Sequence, residues 1–273
     1  MSTDPPATTG VVHYTLRSGV AVLTIDAPQR RNALSAALLS QLLRGLDDAA
    51  ADPAVRTVVL THTGPVFSSG MDLTQVSGLP AAEQPIAAFP VLLQRIWEYP
   101  KPVIARVDGK ARAGGIGLIA ACDLAIAVAT ADFAFTEVRL GIVPAVISVP
   151  LLPRLLPRAA QELFLTGETF DAGRAMSVGL LTSVVADADA LDGEVDRYTA
   201  MLRRCEPQAL AGTKLMLRRD RGGVSMAEDF AAMAQLSAGY FASPQAQEGI
   251  AAFAAKRPPS WAQSSDGRSP DSQ

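Results

Sequence analysis

Glu137 stands in the stretch FAFTEVRLGIVP, residues 133–144, among Phe133, Phe135, Val138, Leu140 and Ile142. A carboxyl group in apolar surroundings loses solvation of its charged form, so its pKa rises and it can exchange protons near neutral pH. Upstream, AGGIGLIAACDLAIA at residues 113–127 places glycines at 114, 115 and 117 directly before a run of small apolar residues. Glycine loses more conformational freedom on folding than other residues, so a cluster at a helix start implies that something approaches the backbone closely. The first N–H groups of a helix lack intrahelical partners and lie at the positive end of its dipole. Such a start stabilises negative charge without any side chain. A second loop, GPVFSSGMDL at residues 64–73, carries Gly70 beside small residues, then Met71 and Asp72. One amide from each loop, converging on a developing oxyanion, would stabilise it. Taken singly, each loop also reads as a tight turn, and Glu137 as an exposed loop residue.

Competing chemistries fit less well. Gly115-Ile-Gly117-Leu-Ile-Ala120 formally matches the dinucleotide fingerprint, with Asp132 after the next strand. That fingerprint should follow its strand almost at once, yet Asp-Gly-Lys-Ala-Arg-Ala separates Val107 from Gly114, and no GxxxxGK[ST] phosphate loop exists. His13 and His62 are the only histidines, and Cys122 and Cys205 the only cysteines, none in a ligand spacing. No metal site is expected, although His62 lies in a loop where it could touch a substrate. Cys122, inside the apolar run, reads as a buried thiol acting as a small hydrophobe. A net charge of −3 and a pI near 5.5 give no general attraction for nucleic acid or anionic membrane. The start MSTDPPATTG lacks a basic segment and an apolar core, so the expectation is a reduced, soluble, cytoplasmic protein.

The elements that must position these groups follow from periodicity. VVHYTLRSGVAVLTID reads as a hairpin about Ser18-Gly19. SAALLSQLLRGLDDAAAD places Leu38, Leu39, Leu42, Leu43 and Leu46 on one helical face, with Ser35 as its cap. VRTVVLT, PVIARVDG and DLAIAVA read as strands, and PVLLQRIWEY as a helix stopped by Pro100. Beyond residue 145 the pattern is mainly helical, with LLTSVV as a strand. This alternation predicts an α/β core over residues 11–200 and a helical segment over 201–257. Residues 1–10 and 258–273, rich in Pro, Ser, Asp and Thr, read as loose tails.

Together these stretches resemble the crotonase (enoyl-CoA hydratase/isomerase) superfamily. The likeness runs from about residue 12 to 257, through RRNALS (30–35), VFSSGMDL (66–73), KPVIARVDGKARAGGIGLIAACDLAIA (101–127), FAFTEVRLGIVP (133–144) and LTGETFDAGRAMSVGLL (165–181). It implies an α/β spiral of ββα units with a helical C-terminal trimerisation segment, assembled as a trimer or dimer of trimers. It implies an acyl-CoA thioester as substrate, with no separate cofactor because coenzyme A enters with that substrate. By the same resemblance the N–H groups of Met71 and Gly114 form the oxyanion hole and Glu137 moves the proton. Arg31, Ala33, Ser69 and Asp72 would line the CoA pocket, and Lys256 would reach a CoA phosphate from an adjacent subunit.

One departure matters. Familiar fatty-acyl hydratases carry two glutamates, and the first of those positions is Gly117 here. GIVPAVISVPLL also lacks the glycine-rich turn of straight-chain hydratases and looks like relatives that hydrate branched or glutaconyl-type substrates. The reading is a hydratase adding water across the 2,3 double bond with a single glutamate. A 3-enoyl-CoA to 2-enoyl-CoA isomerase and a CoA-thioester-binding protein with little chemistry are the alternatives. Arg112 and Arg139 flank the site in sequence, where they would meet a second carboxylate or serve the surface or a subunit contact.

Overall fold

The structure, a computed structural model, describes residues 10–75, 87–218 and 225–262. Strands β1 (Val12–Arg17) and β2 (Val20–Ile25) pair antiparallel across Ser18 and Gly19, whose φ angles are 49° and 78°. Two left-handed positions are what a two-residue hairpin turn requires. Ser35 caps α1 (Ala36–Ala51), its Oγ accepting the Leu38 N–H at 3.3 Å, and Leu38, Leu39, Leu42 and Leu46 are buried.

A strand–strand–helix unit then repeats. The first unit is β3 (Thr57–His62), β4 (Val66–Ser68) and α2 (Ala88–Trp97); the second is β5 (Val103–Val107), β6 (Lys110–Arg112) and α3 (Gly114–Ala121). The third is β7 (Leu124–Val128) and β8 (Asp132–Ala134), followed by a 3-10 turn over Thr136–Leu140 and then α4 (Ala145–Leu151). Helix α5 (Pro157–Thr166), β9 (Phe170–Asp171), α6 (Ala172–Ser177) and β10 (Ser183–Val185) complete the core. The first strand of each unit joins a six-stranded sheet ordered β1-β2-β3-β5-β7-β10, and the second a four-stranded sheet ordered β4-β6-β8-β9. The result is a ββα spiral. Every residue of β3 is buried, as a parallel strand covered on both faces demands. All eight residues of α3 are buried as well, so this helix is apolar all round because it has no solvent face.

The strands β4, β6 and β8, of three residues each, have no signature in the sequence, since period-2 alternation needs about four residues to register. Half of the segment read as a connector before Gly114 is therefore β6. Helix α4 also goes unseen, because it starts behind Pro144 and contains Pro150.

Four helices follow: α7 (Ala188–Arg203), α8 (Pro207–Leu217), α9 (Met226–Phe241) and α10 (Pro244–Ala254). Helix α9 packs on α4 and α2, and α10 on the Thr136–Leu140 turn. Gly249 permits the second contact, for a Cβ there would fall 2.2 Å from the Leu140 carbonyl oxygen. Helices expected between subunits thus first cover their own chain. Among the described residues no helix is long and apolar enough to cross a membrane.

Candidate active site

The RRNALS loop is held by Asn32, which is fully buried at a φ of 51°. Its Oδ1 accepts the Ala27 N–H at 2.8 Å, and its Nδ2 donates to the carbonyls of Thr63 at 3.0 Å and Val66 at 2.7 Å. The anchored loop then pairs with the Gly70–Asp72 backbone. The Leu34 N–H donates to Gly70 O at 2.8 Å, and the Asp72 N–H to Leu34 O at 3.3 Å. This one-residue bridge uses the groups on either side of Met71 and leaves the Met71 N–H without an acceptor among the described residues. Asp72 is engaged within its own chain. It borders the cavity, but its Oδ2 accepts from Arg30 at 2.7 Å and its Oδ1 from the Thr74 hydroxyl at 2.7 Å. Its carboxylate therefore holds the loop, and a bound molecule would have to displace Arg30 or Thr74 to reach it.

The start of α3 is built on strain. Ala113, the N-cap, has φ 48° and ψ −120°, a region that a residue with a Cβ occupies only when its surroundings impose it. The N–H groups of Ile116 and Gly117 donate to Ala113 O, at 2.9 and 3.3 Å, and that of Gly114 has no acceptor among the described residues. The two loops meet through their glycines. A Cβ on Gly70 would lie 3.4 Å from the Gly114 nitrogen, and one on Gly115 only 2.8 Å from Ser68 O. The missing side chains let Met71 and Gly114, whose N–H groups have no acceptor among the described residues, border one cavity.

Gly117 has another role. A Cβ there would lie 2.6 Å from Ile147 Cγ2 and 3.5 Å from Leu93 Cδ1, so this glycine seats α3 against α4 and α2. Gly117→Glu should create no second acid, because the side chain enters packed apolar atoms instead of the cavity. Overpacking of this kind costs about 1–3 kcal/mol, and the melting temperature should fall by roughly 3–10 °C with no gain in turnover. A thermal melt and a turnover assay of the variant check this.

Glu137 is carried by the 3-10 turn, which closes at Gly141 with φ 71° and is underpinned by Phe135 against Phe164, their ring centroids 4.3 Å apart. Its Oε2 is shielded from solvent and has no hydrogen-bond partner. Burial pushes the carboxyl pKa up to about 7, opposed by its own backbone N–H. The cavity it borders has a volume of about 850 Å³ and also touches Met71, Gly114, Arg31, Ala33, Ser69 and Asp72. Phe89, Val146, Ile147, Phe241 and Ile250 supply apolar walls. Chemically, the arrangement offers two backbone donors and one proton carrier poised near neutrality.

Other candidates lie elsewhere. Lys256 is exposed just beyond α10, outside the cavity of its own chain. His62 is buried outside the cavity, its Nε2 accepting the Asp108 N–H at 3.0 Å, and burial lowers its pKa. It packs as a core histidine outside this cavity. Arg112 borders the cavity but pairs with Asp132 and donates to the carbonyls of Ala111 and Asp132. Arg139 borders it with no ion pair or hydrogen bond to a described residue. Cys122 is buried, its thiol pushed up to about 12 by desolvation, as a small hydrophobe would be. Among the described residues no cluster of His, Cys, Asp and Glu could hold a metal ion. The sequence reading missed Arg30, Phe89 and the contributions of α9 and α10, which come to border the same cavity as Glu137 only on folding.

A ββα spiral whose cavity is lined by two residues with N–H groups unpaired among the described residues and by one carboxyl with a shielded, unpartnered oxygen has the frame of the crotonase class. The chain belongs to the enoyl-CoA hydratase/isomerase family, whose sequence model matches residues 15–264. It is 38% identical over 245 residues to a Thermus thermophilus protein with a provisional enoyl-CoA hydratase name, covering 88% of this chain and 96% of that one. The crystal structure of an enoyl-CoA hydratase from Mycobacterium avium superposes with a TM-score of 0.82 at 43% identity, over 92% of this chain and 98% of that one. A methylmalonyl-CoA decarboxylase structure also superposes, with a TM-score of 0.78 at 27% identity, over 93% of this chain and 98% of that one.

Proposed function

We propose that this protein is an enoyl-CoA hydratase in which Glu137 is the only side-chain acid and base. The observation that carries this reading is that Glu137, whose shielded Oε2 has no hydrogen-bond partner among the described residues, lines the same cavity as Met71 and Gly114. The thioester oxygen accepts from the N–H groups of Met71 and Gly114, which polarise the conjugated double bond and stabilise the enolate that forms. Glu137 takes a proton from water as the water oxygen bonds to C3, and then delivers that proton to C2. One carboxyl group thus serves both steps on one face of the double bond. Coenzyme A belongs to the substrate, its cationic contacts coming from Arg31 and from Lys256 of a neighbouring subunit.

A single unpaired carboxyl equally suits a 3-enoyl-CoA to 2-enoyl-CoA isomerase, in which Glu137 carries a proton between C4 and C2. Incubation with a panel of 2-enoyl- and 3-enoyl-CoA thioesters in ¹⁸O-labelled water separates the readings. A hydratase adds the mass of one labelled water, and an isomerase moves the double bond with no added oxygen. Binding without turnover of any member overturns both and leaves a CoA-thioester-binding protein.

The assembly is a trimer or a dimer of trimers on this reading. Leu215, Met216 and Leu217, the last residues of α8, are 74%, 58% and 72% exposed, an apolar helix end that a subunit contact would cover. Sedimentation at micromolar concentration should give three or six copies of the 28.6 kDa chain. A monomer would remove the role given to Lys256.

A further inference from the structure

Ser237 has a hydroxyl that the reaction above does not use. It lies in α9 on the stripe of Phe230, Met233 and Phe241, is only 5% exposed, and borders the cavity. Serine and threonine hydroxyls in helices commonly bond to a carbonyl one turn back, as Ser148 does to Ala145 O at 2.6 Å and Thr213 to Ala209 O at 2.7 Å. Ser237 makes no such bond and no other hydrogen bond to a described residue. The cavity-bordering residues beside it on α2, α4 and α9 include Phe89, Val146, Ile147 and Phe241. A hydrocarbon chain seated there would displace water from the Ser237 hydroxyl and give no hydrogen bond in return.

We infer that Ser237 selects acyl groups bearing a neutral oxygen, a hydroxyl or a keto group, beyond the reacting C2–C3 pair. This deepens the hydratase reading and rests on it. Neutrality follows from the wall itself, because α2, α4 and α9 place no cation on the cavity. A carboxylate desolvated there would lose more than one hydroxyl can restore. Arg30, Arg31, Arg112 and Arg139 border the cavity from other segments.

The test is calorimetric titration of saturated, unreactive acyl-CoA thioesters of equal chain length: unsubstituted, or with a hydroxyl or keto group at successive carbons beyond C3. The wild-type protein should bind one oxygenated positional isomer on the order of ten-fold more tightly than the plain chain. Ser237→Ala should abolish that preference, the oxygenated ligand binding more weakly and the plain chain as tightly or more tightly, with an unchanged or raised melting temperature because no hydrogen bond to a described residue is lost. Equal wild-type affinity for all the thioesters overturns the inference, as does a preference that survives Ser237→Ala. Failure to bind any CoA thioester overturns the functional reading itself, so the two failures are distinct.

Discussion

Glu137→Gln should retain acyl-CoA binding while turnover falls by roughly 10²–10⁴-fold, the contribution of a positioned general acid–base group. The substitution preserves shape and leaves the Met71 and Gly114 N–H groups intact, so the loss should appear in kcat with little change in Kd. Stopped-flow absorbance of the enoyl thioester, paired with titration of a saturated analogue, measures both. Near-normal turnover would assign the proton to another group. Because water is activated by the ionised carboxylate, kcat/KM of the wild type should decline as pH falls through about 7.

The same carboxyl makes stability depend on pH. Its pKa is about 7 in the folded protein against an ordinary value of 4.5. Between those values the unfolded chain releases its proton first, so stability declines as pH rises through the window and stays lower above it. The full effect is up to about 3 kcal/mol. Glutamine carries no charge at any pH. Glu137→Gln should therefore melt higher than wild type at pH 8 and alike near pH 4, by differential scanning calorimetry.

Gly114→Pro should cost about 10²–10³-fold in kcat, the effect of deleting one oxyanion donor. Proline is accepted at the first helical position because the N–H it removes has no helical partner. A Cβ at this position would approach Leu34 Cδ1 at 3.0 Å and Phe89 Cζ at 3.2 Å, so steric effects need their own control. Gly114→Ala adds that Cβ and retains the N–H. The ratio of the two variants' kcat values reports the hydrogen bond, and a ratio near one would remove Gly114 from the oxyanion hole.

Much of this design is legible in the chain itself. The hairpin turn at Ser18-Gly19, the Ser35 cap and the leucine face of α1 are local, set by backbone sterics and by a period of 3.6 residues. The carriers of the site are also legible, because Gly70, Gly114 and Glu137 stand out as residue types that their surroundings do not favour. What buries Glu137 is another matter. Phe133 and Phe135, its apolar neighbours in sequence, turn away into an aromatic cluster with Phe164 and Phe170. Besides nearby Leu140 and Ile142, the cavity takes its apolar walls from Phe89, Val146, Ile147, Phe241 and Ile250, spread over four helices.

The amino-acid sequence by itself determined the leading hairpin, the longer strands, the capped first helix and which groups could carry negative charge or a proton. Tertiary structure alone decided that Gly117 serves a helix contact, that Asp72 is engaged by Arg30 and Thr74, and that His62 faces the core. It also decided that Ser237 borders the cavity with its hydroxyl unpaired among the described residues. Periodicity records which way a side chain points from its own helix or strand, whereas these outcomes depend on which distant atoms pack against it.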